Sequence, residues 1–217
     1  MFAPFVAIVK DRALLIAAGL LSPSILQDLI SNEKMCIAID GGYNHCIKFN
    51  LIPDILIGDF DSIDSSKINE NITLVHQVSQ EETDLVKAIN WAINFGVTNL
   101  DIVGVESGRS DHILGTYAAL AELNQNQMQP IDIQIHLDDF IVKYIPLGKV
   151  LKFSFEKETH LSLFCLSKSK VTFTGVKWGL NEEEIGFSTR GIHNYSIGKE
   201  VEIFIHEGGP GLLFINR

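Results

Sequence analysis

Met35-Cys36-Ile37-Ala38-Ile39-Asp40-Gly41-Gly42-Tyr43-Asn44-His45 is a short apolar run, closed by an Asp-Gly-Gly turn that opens a helix over 43–50. The same unit recurs on both sides of it. Ala13–Ala18 reads as a strand, and Ser22-Pro23-Ser24 starts a helix with a cap residue and an early proline. Ile55–Ile57 and Ile72–His76 are further strands. From Thr83 to Phe95 the apolar residues Leu85, Ile89, Ala92 and Ile93 recur at helical spacing. Leu100–Val103 is a strand, Asp111–Leu123 a helix, and Ile131–Leu137 completes the series. Alternation of this kind predicts an α/β N-terminal domain whose mainly parallel sheet is covered by helices.

After residue 140 the rhythm changes. Phe140–Tyr144, Val150–Phe155, His160–Cys165, Val171–Phe173, Val201–Ile205 and Leu212–Ile215 are short, often alternating, and separated by Gly, Lys, Glu or Asn. They predict an all-β C-terminal domain, a small sandwich or barrel. The expected division is therefore 1–140 and 141–217. No flexible linker separates the halves, so the second must pack on the first or on a partner subunit.

A chain of 217 residues with 46% hydrophobic and 20% charged residues has the composition of a globular protein with a sizeable core. Its net charge of −10, with no basic run longer than two residues, argues against a nucleic-acid partner. Three cysteines, Cys36, Cys46 and Cys165, fit neither a disulfide framework nor a zinc site, so a reducing cytoplasm is expected. The apolar run Ala13–Leu21 after Lys10-Asp11-Arg12 resembles a secretory hydrophobic region. It is too short to span a bilayer and ends in a turn and a helix start, so no membrane partner is expected.

Chemistry concentrates just after the expected strand ends. In Gly58-Asp59-Phe60-Asp61-Ser62 an extended backbone would turn Asp59 and Asp61 to one side and Phe60 to the other. Two carboxylates held that close repel unless a cation sits between them, and Mg²⁺ shared with substrate phosphates meets that need. Asp40-Gly41-Gly42, Gln80–Asp84 and Gly108–His112 fall at the same edge, where open α/β sheets bind ligands. Each has a plainer reading. Gly41-Gly42 is an ordinary turn, Asp84 is favoured in any first helical turn, Ser110 or Asp111 caps a helix, and Lys87 is a solvated helix lysine. Together, five carboxylates at one edge repel one another, and that demands a counter-charge. No G-x-x-x-x-G-K-[ST] or G-x-G-x-x-G run is present.

The series Asp40-Gly41-Gly42-Tyr43-Asn44-His45, Pro53-Asp54-Ile55-Leu56-Ile57-Gly58-Asp59-Phe60-Asp61-Ser62, Gln80-Glu81-Glu82-Thr83-Asp84-Leu85-Val86-Lys87 and Gly108-Arg109-Ser110-Asp111-His112 resembles the thiamine pyrophosphokinase family in order and spacing. Gly175-Val176-Lys177-Trp178-Gly179-Leu180 and Ser188-Thr189-Arg190-Gly191-Ile192-His193-Asn194 are similar to its second-domain motifs. The chain departs from the family's usual pattern at Ile39, Ser107 and His193, where alanine, glycine and serine are common.

The resemblance implies transfer of diphosphate from ATP to the hydroxyl of thiamine, giving thiamine diphosphate and AMP. Asp59, Asp61 and Asp84 are then expected to hold Mg²⁺, with Asp40 beside them. Arg109 and Lys87 neutralise phosphate, and Gly41, Gly42, Asn44, Gln80 and Thr83 complete the ATP contacts. Asp111 anchors substrate or holds Arg109, and no general base stands out. Gln80, Asp111, Trp178, Ser188, His193 and Asn194 are the expected thiamine contacts, shared across a homodimer interface. The plainer reading of Trp178 is a core or interface aromatic. Two alternatives remain: a diphosphotransferase acting on a hydroxymethylpterin, and a non-catalytic nucleotide- or thiamine-binding regulator.

Overall fold

Four consecutive apolar residues, Ala13 to Ile16, fill β1 (Arg12–Ile16), and all four are buried. A strand buried on both faces belongs inside a sheet covered on both sides. β1 pairs in parallel with β2 (Met35–Ile39) on one side and β5 (Asn99–Val103) on the other. This computed structural model describes residues 10–61, 63–77, 81–106, 108–123 and 131–217.

Parallel pairing continues from β2 to β3 (Ile55–Gly58) and β4 (Thr73–His76), and from β5 to β6 (Asp132–His136). Alternate side chains serve opposite layers. Leu14, Ile16, Ala38 and Leu56 meet Leu26 of α1 (Pro23–Leu29) and Cys46 of α2 (Tyr43–Lys48). Leu15, Ile37, Ile57 and Ile102 meet Ile89 of α3 (Asp84–Asn94) and Leu120 of α4 (Ser110–Glu122). Each such fully buried aliphatic contributes about 1.5–3 kcal/mol. The apolar run beginning at Ala13 is thus sheet interior. No helix among the described residues is long and apolar enough to cross a membrane.

Antiparallel pairing begins at β7 (Phe140–Ile145), beside β6. β14 (Gly211–Asn216), β9 (His160–Cys165) and β12 (Asn194–Tyr195) extend the same sheet to ten strands among the described residues. A second, antiparallel sheet comprises β8 (Leu151–Phe153), β10 (Ser169–Thr174), β11 (Leu180–Ile185) and β13 (Val201–Glu207). It packs on the first through Val171, Phe173 and Ile203 against Leu161, Leu163 and Leu213. The β half is therefore a sandwich, one layer of which is continuous with the α/β sheet. β11 and β12 were not legible as strands. Glu182-Glu183-Glu184 looks solvated, yet Lys170, Arg190 and Lys168 pair with these glutamates at 2.8, 3.1 and 2.9 Å. Cross-strand charge pairs of this kind make an edge strand tolerable.

Candidate active site

β2 delivers Asp40 into a short 3-10 turn with a left-handed φ of 42°, and β3 delivers Asp59 and Asp61 one strand further along. Carboxylate oxygens of Asp40, Asp59 and Asp61 lie within 4.8 Å of one another. Glycine at 58 is what lets the two loops meet. A Cβ there would stand 3.0 Å from the Asp40 Cβ, and its φ of 155° suits glycine alone.

The two loop aspartates converge by a route other than extended alternation. Phe60 is left-handed, with φ 67°, and the Asp61 N–H donates to Asp59 Oδ1 at 3.2 Å, an aspartate turn. The chain has already left β3 at Gly58, so strand alternation no longer governs it. A left-handed phenylalanine costs about 1–2 kcal/mol. Its ring offsets that by packing among the α1–α2 layer and stacking on His76 at 5.4 Å. Repulsion from Asp59, first of all, pushes the Asp61 carboxyl above its ordinary range. A close trio of carboxylate oxygen donors fits a hard cation such as Mg²⁺.

Helix α3 enters beside this cluster. Thr83 caps it by accepting from the Val86 N–H at 3.4 Å, and Asp84 in its first turn binds the buried Lys87 ammonium at 2.9 Å. Asp84 stands outside the tight trio, although its charge also bears on Asp61. At the start of α4, the Arg109 fork donates from Nε and Nη2 to both oxygens of Asp111, at 3.2 and 2.7 Å. That pairing holds the Asp111 carboxyl below its usual range. Gly42 is buried against β1, where a Cβ would fall 2.0 Å from the Ile16 carbonyl oxygen, so that contact alone demands glycine there. Asn44 is exposed one residue into α2, and Gly41 is half-buried. Gln80 lies outside the described residues.

A cleft of about 500 Å³ opens between the ends of β1 and β5. The strand order β6-β5-β1-β2-β3-β4 reverses there, and ligands of open α/β sheets bind at such a point. Thr83, Asp111 and His112, all in the expected clusters, line it, but so do Gly19, Gly104 and Thr116, which sequence reasoning passed over. Gly19 and Gly104 carried a signal. A Cβ at Gly19 would meet the Glu106 carbonyl at 2.5 Å, and one at Gly104 would meet that of Ala17 at 2.4 Å. The His45 ring joins α2 to this rim through the Gly19 carbonyl, 2.7 Å away.

The β-half residues gather elsewhere. Trp178 is exposed, Ser188 caps a short turn through the Arg190 N–H at 3.4 Å, and His193 is exposed with φ 55°. Asn194 is buried and hydrogen-bonds the main chain of Trp178. β12, which carries Asn194, is the outer strand at one end of the sheet, eight strand positions from β3. At about 4.8 Å per strand that is roughly 38 Å along the sheet. One chain's Trp178 cluster and its own carboxylate trio are thus far apart.

Residues 26–132 match the model of the thiamin pyrophosphokinase catalytic domain. A Bacillus subtilis thiamine pyrophosphokinase is 30% identical over 158 residues, spanning 69% of this chain and 72% of that protein. A Caenorhabditis elegans thiamin pyrophosphokinase 1 is 31% identical over 110 residues, 46% of this chain and 45% of the relative's length. The crystal structure of the Bacillus subtilis thiamine pyrophosphokinase superposes with a TM-score of 0.76 at 26% identity, covering 94% of this chain and 98% of that one. An open α/β sheet with an acidic cluster and a switch-point cleft, joined to a sandwich, belongs with these diphosphotransferase enzymes. The chain is a member of the thiamine pyrophosphokinase family.

Proposed function

We propose that the chain transfers an intact diphosphate from ATP to the hydroxyl of thiamine, releasing thiamine diphosphate and AMP. The observation that carries this reading is the Asp40, Asp59 and Asp61 trio beside the switch-point cleft. Mg²⁺ held there would neutralise diphosphate oxygens, a need common to phosphoryl transfers. The thiamine oxygen attacks the β-phosphorus, the bond from that phosphorus to the α,β-bridging oxygen breaks, and the hydroxyl proton leaves to solvent or a nearby carboxylate. Asp84 keeps Lys87 extended toward the phosphates, and Thr83 fixes the helix start that presents them both. Arg109 and Asp111 are both largely exposed, so exchanging their ion pair for a phosphate contact costs little.

The thiamine site in this reading is shared between two copies. Trp178, Ser188 and His193 of residues 141–217 act on the cleft of residues 1–140 in the partner, which the separation along the sheet requires of a pair. An apolar groove of about 530 Å³ beside α4, lined by Leu114, Tyr117, Phe164, Phe187 and Phe214, supports such pairing. Leu114 and Phe187 are exposed in the single chain. Free Cys36, Cys46 and Cys165 accord with a cytoplasmic enzyme.

The test is AMP release from the purified protein. It should require thiamine, ATP and Mg²⁺ together and stop when any one is omitted. AMP formation with a hydroxymethylpterin and none with thiamine would overturn the substrate assignment. Tight binding of both substrates without AMP would leave a regulator.

A further inference from the structure

Asn194 is 1% exposed, and its side-chain amide is spent on the main chain around it. Oδ1 accepts from the N–H groups of Trp178 and Tyr195, each at 3.0 Å, and Nδ2 donates to the Trp178 carbonyl at 2.8 Å. Both backbone groups of residue 178 are therefore gripped by one buried amide. The residue being gripped is 51% exposed. The next side chain in sequence holds its ring as well. Tyr195 meets the Trp178 indole edge to face, with centroids 5.6 Å apart at 75°. Tyr195 is braced in turn by the His160 ring at 6.4 Å and by the Lys177 ammonium 6.0 Å from its centroid.

An exposed indole whose backbone and ring are both held presents its free surface in a fixed direction. Burying an amide costs free energy unless its hydrogen bonds are made, and here two of the three are made to the main chain of one residue, Trp178. A loop that only needed closing would not require an aromatic with half its surface exposed to be held at both its backbone and its ring. We propose that Asn194 is a positioning residue for substrate choice: it never touches thiamine, and it sets the Trp178 indole as a platform for the flat, cationic substrate. The proposal rests on the thiamine reading above. It assigns Asn194 a different task from direct contact, and Tyr195 a task that the motif reading left empty.

A double-mutant cycle tests it, because two groups acting through one contact are non-additive. Steady-state kinetics would be measured for Trp178→Ala, Asn194→Ser, Tyr195→Leu and the paired variants, with thiamine and ATP varied separately. Asn194→Ser should raise the thiamine KM about tenfold while the ATP KM holds within twofold. In the Trp178→Ala background the same substitution should change the thiamine KM by less than twofold. Additive effects would mean that Asn194 contacts thiamine itself, and would overturn the inference while leaving the substrate reading intact. An unchanged KM in Trp178→Ala would overturn the reading of Trp178 and the inference with it. Should Asn194→Ser fail to fold, the half-buried Tyr195→Leu decides by the same cycle, with non-additivity expected and additivity fatal.

Discussion

Between Asp59 and Asp61 the chain passes through a left-handed Phe60 anchored on His76, and this one conformation gathers carboxylates from two loops. Asp61 is exposed, and repulsion from Asp59 raises its carboxyl above the ordinary range. A raised carboxyl means that the fold disfavours the charged form, so removing that charge should cost the apo protein nothing. Asp61→Asn is therefore expected to keep or raise the melting temperature without ligand, followed by circular dichroism. Turnover should fall by about two orders of magnitude or more, because an amide cannot neutralise the cation. A folded variant with near-parental activity would remove Asp61 from the site. The residue types of this cluster were legible from their placement after apolar runs. The partner set was not, because Asp40 joins the tight trio while Asp84 turns to Lys87. That choice depends on Gly58 and Phe60 backbone angles, which residue spacing does not encode.

Most elements were legible where one face or both faces are apolar, as in β1, β2 and α3, since burial then dictates the period. β11 escaped because its three glutamates are matched by Lys168 and Lys170 at the neighbouring strand β10 and by Arg190 in the turn that follows, pairings that residue spacing does not reveal. A second charge network ties elements inside the α/β half. Asp101 of β5 takes the Lys34 ammonium at 2.7 Å and His136 Nε2 at 2.7 Å. Arg217 Nη2 lies 3.1 Å from His136 Nδ1, and a guanidinium only donates, so Nδ1 accepts and Nε2–H donates to Asp101. Burial pushes the Asp101 carboxyl up, but the bonds from His136 and Lys34 outweigh it and the net shift is downward. A depressed carboxyl stabilises the fold above its unfolded value near 3.9 and loses that contribution as pH falls through the lower folded value. Asp101→Asn should thus cost about 2–4 kcal/mol at pH 7 by leaving Lys34 without its counter-charge. In urea unfolding from pH 7 to pH 3, the gap between parent and variant should narrow below about pH 4. A gap independent of pH would assign the loss to packing.

At the scale of the whole molecule the ten-stranded order sets the Trp178 cluster and the carboxylate trio roughly 38 Å apart along the sheet. If sites are shared, damage at the two ends should complement. Asp61→Asn mixed with Trp178→Ala after co-refolding is expected to form hybrids in which one of the two sites pairs an intact trio with an intact platform. Activity should recover to about a quarter of the parental value for random pairing, half of the dimers being hybrid with one good site each. No recovery above the separate variants, or a fully active monomer by analytical ultracentrifugation at working concentration, would confine the site to one chain.

Apolar runs such as Ala13–Ile16 and Met35–Ile39, alternating with helical segments, by themselves determined a mainly parallel sheet covered by helices, since that arrangement removes both faces of such strands from water. The ordered motifs Asp40-Gly41-Gly42, Gly58–Asp61, Thr83–Lys87 and Arg109–His112 by themselves gathered the candidate chemistry at one sheet edge and determined which family the chain resembles. Tertiary structure alone decided that Gly42 serves contact with Ile16, that Asn194 grips the main chain of Trp178, and that the sandwich continues the α/β sheet. The reason is physical. Burial of apolar surface leaves its mark in local residue periodicity, whereas close backbone approach and hydrogen-bond direction depend on segments far apart in the chain.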